Sequence, residues 1–189
     1  VQVEDVQRYQ EKMKTRLNLE VSLAPEMVEL ALSLNPESVC LVPENRKEVT
    51  TEGGLDILSH LERARDAVQA FTDAGIPTSM FIDPDKKQLE ASAEIGSPWV
   101  ELHTGSFARA WYDESRSSAE LETLKRGMDF GLSLGLRINA GHGINYDNVE
   151  GARQLDQVYE FNIGHSIISR SISHGLVEAV QTMRSRLND

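Results

Sequence analysis

The stretch Trp99-Val100-Glu101-Leu102-His103-Thr104-Gly105 decides how this chain folds. It opens apolar, as a strand buried on both faces does, turns ionisable toward its end, and stops at a glycine. Side chains alternate across a strand, so Glu101 and His103 share one face and Leu102 takes the other. Two ionisable groups on one face of a buried strand are costly unless they are paired or used. A structural Glu–His pair and a working pair are both open readings.

The same unit recurs on either side. A helix is predicted over residues 3–15, then a strand over 17–23 and a helix opened by Pro25, with Met27, Leu30, Ala31 and Leu34 on one face. A strand over 39–42 precedes a helix over 55–73 that stops at Gly75. The next strand covers 78–82, after which Asp83-Pro84 reads as an N-cap with proline at the first helical position, and Gly96 ends that helix. Beyond the strand at 99–102, Ser117-Ser118-Ala119-Glu120 looks like a capping box for a helix ending near Gly135. A strand over 136–140, a short helix capped by Asp147 and a strand over 161–163 follow. The last helix carries Leu176, Val180, Met183 and Leu187, and splits at Gly175 from a short one beginning near Ser166.

Regular alternation of strand and helix means a parallel sheet, open or closed into a barrel. Glu20, Glu44, Asp83, Glu101, His103, His142 and His165 fall near the C-terminal ends of many different strands. An open sheet concentrates function at one switch point, whereas a barrel spreads it over many strand ends. The expectation is an α/β fold, a (β/α)8 TIM barrel forming a single domain over residues 1–189. Such a barrel needs eight strands and six are legible, so the first two strands are expected to be absent from this sequence.

The net charge of −11 disfavours nucleic acid and anionic membranes as partners. It also repels phosphorylated metabolites, so any phosphate must be attracted locally, by helix N-termini, glycine-rich backbone and a few cations. Cys40 is the only cysteine, which rules out an intramolecular disulfide and suits a reducing, cytoplasmic setting. It reads as a small buried hydrophobe rather than a nucleophile.

Among the candidate functional residues, Glu20 follows apolar residues at a strand end. Low dielectric there suits a glutamate to general-base work, and a surface or salt-bridged glutamate is the plainer alternative. Asn139-Ala140-Gly141-His142-Gly143 flanks a histidine with glycines, which lets the backbone approach a ligand closely. Asn162-Ile163-Gly164-His165-Ser166 repeats the device just before a helix. Together they match the phosphate site that barrels build from their last two strand–helix loops. A metal held by His103, His142 and His165 lacks the tight spacing such sites show. The charged loop 42–54, with Arg46 and Lys47 and a Gly-Gly end, suits a lid over an anion, or is merely solvated. His60 and His174 read as surface residues.

Arg16-Leu-Asn-Leu-Glu20, the run from Leu41 to Asp56, Glu101-Leu-His-Thr-Gly105, Asn139-Ala-Gly-His-Gly143 and Glu160-Phe-Asn-Ile-Gly-His165 resemble pyridoxine 5′-phosphate synthase, in order along essentially the whole chain. The resemblance implies a (β/α)8 barrel of vitamin B6 synthesis that condenses 1-deoxy-D-xylulose 5-phosphate with 3-amino-2-oxopropyl phosphate, giving pyridoxine 5′-phosphate, phosphate and water. It implies no metal or organic cofactor, and a homo-octamer. By the same resemblance Glu20 is a general base, His142 a proton donor and Glu101 a transition-state stabiliser. Thr50 contacts the deoxyxylulose phosphate, and Gly143, Gly164 and His165 contact the aminooxopropyl phosphate. The family also has an Asn-x-Asp-His strand, a following arginine and a His-x-Arg segment, which are not found here. Activity of these 189 residues by themselves is therefore in question.

Overall fold

The computed structural model describes residues 2–45, 47–48, 50 and 53–188. Six strands form one sheet: β1 (Asn18–Val21), β2 (Ser38–Leu41), β3 (Thr78–Ile82), β4 (Trp99–His103), β5 (Arg137–Gly141) and β6 (Glu160–Asn162). Each pairs in parallel with the next, in the order β1-β2-β3-β4-β5-β6.

The helices are α1 (Val3–Lys12), α2 (Pro25–Leu34), α3 (Leu61–Asp73), α4 (Lys86–Glu94), α5 (Gly105–Ala110), α6 (Glu114–Ser133), α7 (Val149–Ala152), α8 (His165–His174) and α9 (Leu176–Asn188). Val39, Leu41, Met80, Ile82, Val100, Leu102, Ile138 and Ala140 point from the sheet into one apolar core and are fully buried. Burying them and their helical partners is the main source of stability, at roughly 1.5–3 kcal/mol for each large side chain.

The opposite face is polar and concave. Ser38 donates to Asn18 Oδ1 at 2.8 Å, and Cys40 Sγ of β2 lies 3.7 Å from Glu101 Oε2 of β4. Arg16, just before β1, pairs with Glu160 of β6 and stacks on Tyr159, 5.7 Å from the ring centre. In a flat sheet five strand spacings would hold β1 and β6 roughly 24 Å apart, beyond the joint reach of an arginine and a glutamate. The sheet is therefore curled into most of a (β/α) barrel, open between β1 and β6.

Several boundaries differ from those predicted. Residues 55–57 are not helical; a 3-10 turn at Leu58–His60 leads into α3. Asp85, not Asp83, caps α4, accepting from Lys87 N at 2.9 Å and Gln88 N at 3.2 Å. Asp113 caps α6 through Arg116 N, so Ser117 lies inside that helix rather than opening it. Asn148, not Asp147, precedes α7. Helix α5 was not predicted.

Candidate active site

The C-terminal ends of the strands surround an open cavity of about 1470 Å³. Glu20 at the end of β1, Glu101 in β4, His142 and Gly143 after β5, and Gly164 and His165 after β6 all line it. Six residues picked from the sequence thus meet in one space. Thr50 is not on its lining; its hydroxyl donates to Asp83 Oδ2 and lies 3.2 Å from the carbonyl of Gly54. Arg46, Val49, Thr51 and Glu52 of the proposed lid lie outside the described residues.

Glu101 is only 4% exposed. Asn162 Nδ2 donates to its Oε2 at 2.6 Å, and the Cys40 thiol donates to the same oxygen. Burial pushes its carboxyl up to about 7, and the nearby charge of Glu20 pushes the same way, while the hydrogen bonds from Asn162 and Cys40 act in opposition. Glu101 therefore gains and loses a proton near neutrality, which is what acid–base work requires. Glu20, which was expected in low-dielectric surroundings, is instead exposed. Burial first, and then the charges of Glu101 and Glu20, drive the Cys40 thiol well above its ordinary value, so it stays protonated and donates rather than attacks.

Glu101 and His103 share a strand face as predicted, but they find separate partners. His103 Nδ1 lies 2.9 Å from Asp83 Oδ1, with both side chains buried. Burial alone would raise the Asp83 carboxyl, yet hydrogen bonds from His103, Thr50 and Gly54 bring it below the usual range. Asp83, read from the sequence as a helix cap, is thus a partner of His103. A strand-end aspartate two residues ahead of a second aspartate was the available signal.

His142 has φ 80°, a left-handed conformation that non-glycine residues adopt at a cost of about 1–3 kcal/mol and that clusters at working sites. Thr104 Oγ1 lies 2.8 Å from the carbonyl oxygen of Gly141 and 2.6 Å from that of His142, pinning this turn from the end of β4. Partial removal from water lowers the His142 imidazole below its ordinary value, and His103, His165 and Arg109 add in the same direction. Gly143 also has positive φ, 81°, and a Cβ there would strike Ala108.

The two glycine loops meet at the rim of the cavity. Gly164 is the N-cap of α8 and offers no side chain to cap it, and Gly164, His165 and Ser166 of this helix start line the cavity. Ser166 Oγ donates to Ile144 O at 2.9 Å and ties the two loops together. Among the described residues no group of three His, Cys, Asp or Glu is arranged to hold a metal ion, and no helix is long and apolar enough to cross a membrane. His174 is exposed, whereas His60 is half-buried, with its Nε2 lacking a hydrogen-bond partner.

Comparison with solved structures supports the fold. The tryptophan synthase A-subunit of Pyrococcus furiosus matches 98% of this chain and 70% of its own, with a TM-score of 0.61 at 12% identity. A flavocytochrome b2 matches 99% of this chain and 52% of its own, with a TM-score of 0.62 at 13% identity. Relatives by sequence are far nearer. The pyridoxine 5′-phosphate synthase of Opitutus terrae is 50% identical over 188 residues, covering all of this chain and 76% of that protein. The enzyme of the same name from Pseudoalteromonas translucida is 47% identical over 184 residues, 97% of this chain and 75% of its own. The family profile described as pyridoxal phosphate biosynthesis protein PdxJ matches residues 1–189. With its strand-end carboxylates and paired glycine loops in place, the chain belongs to the PdxJ family.

Proposed function

We infer that this chain carries the pyridoxine 5′-phosphate synthase reaction: ring-closing condensation of 1-deoxy-D-xylulose 5-phosphate with 3-amino-2-oxopropyl phosphate, releasing phosphate and water. The observation that carries the reading is the meeting of Glu20, Glu101 and His142 beside the uncapped N-terminus of α8. Condensing an amine with a ketone, removing water and expelling phosphate all require protons to be moved between positioned groups. Glu20, open to the cavity, takes a proton from the bound substrate. His142 donates one to the departing oxygen, and Glu101 stabilises the charge that develops between them. The N–H groups near Gly143, Gly164 and His165 hold a phosphate group, and Thr50 contacts the second substrate. A homo-octameric, cytoplasmic enzyme belongs to the same reading, which follows from the family resemblance.

The test mixes the protein with both phosphorylated substrates and follows pyridoxine 5′-phosphate by its absorbance, alongside release of inorganic phosphate. Equal amounts of the two products support the reading. Phosphate release without ring formation, or consumption of either substrate alone at the same rate, overturns it.

A further inference from the structure

We propose that Asp83 and His103 act as a positioning pair for His142, a role that rests on the reading of the cavity given above. Neither residue lines the main cavity. They are 6% and 4% exposed, a costly place for two ionisable groups that contribute nothing to the helix cap, since Asp85 serves α4. What the pair does contribute is direction. An ionised Asp83 can only accept, so Nδ1 of His103 carries the proton of their 2.9 Å hydrogen bond. That bond sets both the tautomer and the plane of the ring.

The oriented ring is then clamped. Phe81 meets it edge-on, with ring centres 5.2 Å apart, and the backbones of Gly53 and Gly105 pack so closely that a Cβ at either would press on the imidazole. On its remaining side His103 faces His142, ring centres 4.8 Å apart and planes tilted by 59°. The next residue, Thr104, holds the carbonyl of His142. Two consecutive residues at the end of β4 therefore grip the proton donor, one by its ring and one by its backbone. Asp83 is itself immobilised by the Thr50 hydroxyl and the Gly54 N–H. Among the described residues, the titratable and charged groups facing the assembly include His165 and Arg109 on the side of His142, and Glu120 across a smaller cavity of about 220 Å³ from Asp83.

The test uses Asp83→Asn, His103→Gln and the double variant, with folding checked by circular dichroism and the histidine rings followed by NMR. Replacing His103 should raise the titration midpoint of His142, because a group that opposes its protonation is gone. Asp83→Asn replaces the carboxylate acceptor with a neutral amide oxygen and should weaken the protected Nδ1–H signal of His103. In the assay each single variant should lower kcat roughly 10- to 100-fold, part of the 10²–10⁴ that acid–base groups supply, with KM nearly unchanged. The double variant should be no slower than the worse single one, because Asp83 acts through His103. Independent, multiplying effects on kcat, or an unmoved His142 titration in folded His103→Gln, would overturn the proposal. If the wild type makes no pyridoxine 5′-phosphate, the synthase reading fails, while the substrate-free titration still decides the pair. Should Asp83→Asn not fold, His103→Gln carries that titration alone.

Discussion

Asn162 of the sixth strand donates a 2.6 Å hydrogen bond to Glu101 of the fourth, joining two strands that are not neighbours in the sheet. The bond crosses the concave face and places a buried carboxyl among polar groups rather than beside a cation. Its pKa of about 7 follows from that setting, with burial as the leading cause.

Replacing Glu101 by Gln is expected to stabilise the fold in a pH-dependent way. The folded carboxyl holds its proton up to about 7, whereas the ordinary value is 4.5. Below about 4.5 both states are protonated and the native glutamate carries no penalty. As pH rises to about 7 the unfolded chain ionises first and stability is lost, up to a loss of order 3 kcal/mol. Urea denaturation at pH 4, 6 and 8 should show the variant gaining on the native protein across that window while product formation falls. A constant difference across the three values would show that Glu101 has no raised pKa.

Glu20→Gln should lower the rate of product formation by roughly 10²–10⁴-fold, the usual contribution of an acid–base group, while substrate binding persists. It should also remove a negative charge that raises the Glu101 carboxyl. The pH–rate limb belonging to Glu101 should therefore move to lower pH. Near-normal turnover would make the Glu20 carboxylate a bystander.

The two glycine loops should respond differently to alanine. Gly164 has φ −117°, and nothing lies within 4 Å of a Cβ added there, so Gly164→Ala should keep its melting temperature. It should nevertheless weaken binding of inorganic phosphate, because the methyl group intrudes on the anion rather than on the protein. Gly143→Ala combines positive φ with a collision against Ala108 and should lose stability as well. Calorimetric titration with phosphate beside thermal melts separates the two. Unchanged phosphate affinity in Gly164→Ala would move the anion site elsewhere.

Thr104→Val removes the hydroxyl from a fully buried position and leaves the His142 carbonyl oxygen short of its donor, while the Gly141 carbonyl keeps the Thr104 N–H. The expected cost is about 1–3 kcal/mol of stability. Release of the His142 turn should lower kcat more than it raises KM. Serine at this position restores the hydroxyl and should restore most of both.

Most strands were legible in the sequence because they carry a short apolar core next to polar, proline or glycine residues, as in Ser38–Leu41 before Pro43 and Arg137–Gly141 before His142. The site residues were legible for the same reason: a charged or glycine-flanked residue at a strand end has few places to point. Partners were not. Periodicity assigns Glu101 and His103 to one face but is silent on curvature, and curvature is what brings Asn162 and Cys40 to Glu101. Asp83 and Asp85 differ by two positions, and both fit a cap; only the path of the chain after β3 turns one to Lys87 N and the other to His103. Helix α5 escaped notice because it begins at the glycine that ends the motif of β4, and buries only Gly105, Phe107 and Ala110.

The pairing order β1 to β6 also bears on how the protein is made. A strand leaving the ribosome needs an edge to join, and for each of β2 to β6 that edge belongs to the strand synthesised just before it. A few tens of residues separate successive strands, so at roughly 5–20 residues per second synthesis allows on the order of seconds for each addition. Assembly can therefore proceed as growth from the N-terminal side, one strand and helix at a time. The carboxylates and histidines of the cavity would become neighbours only as the last strands curl the sheet. Catalytic competence would then arrive late in translation, after most of the apolar core has already been sealed.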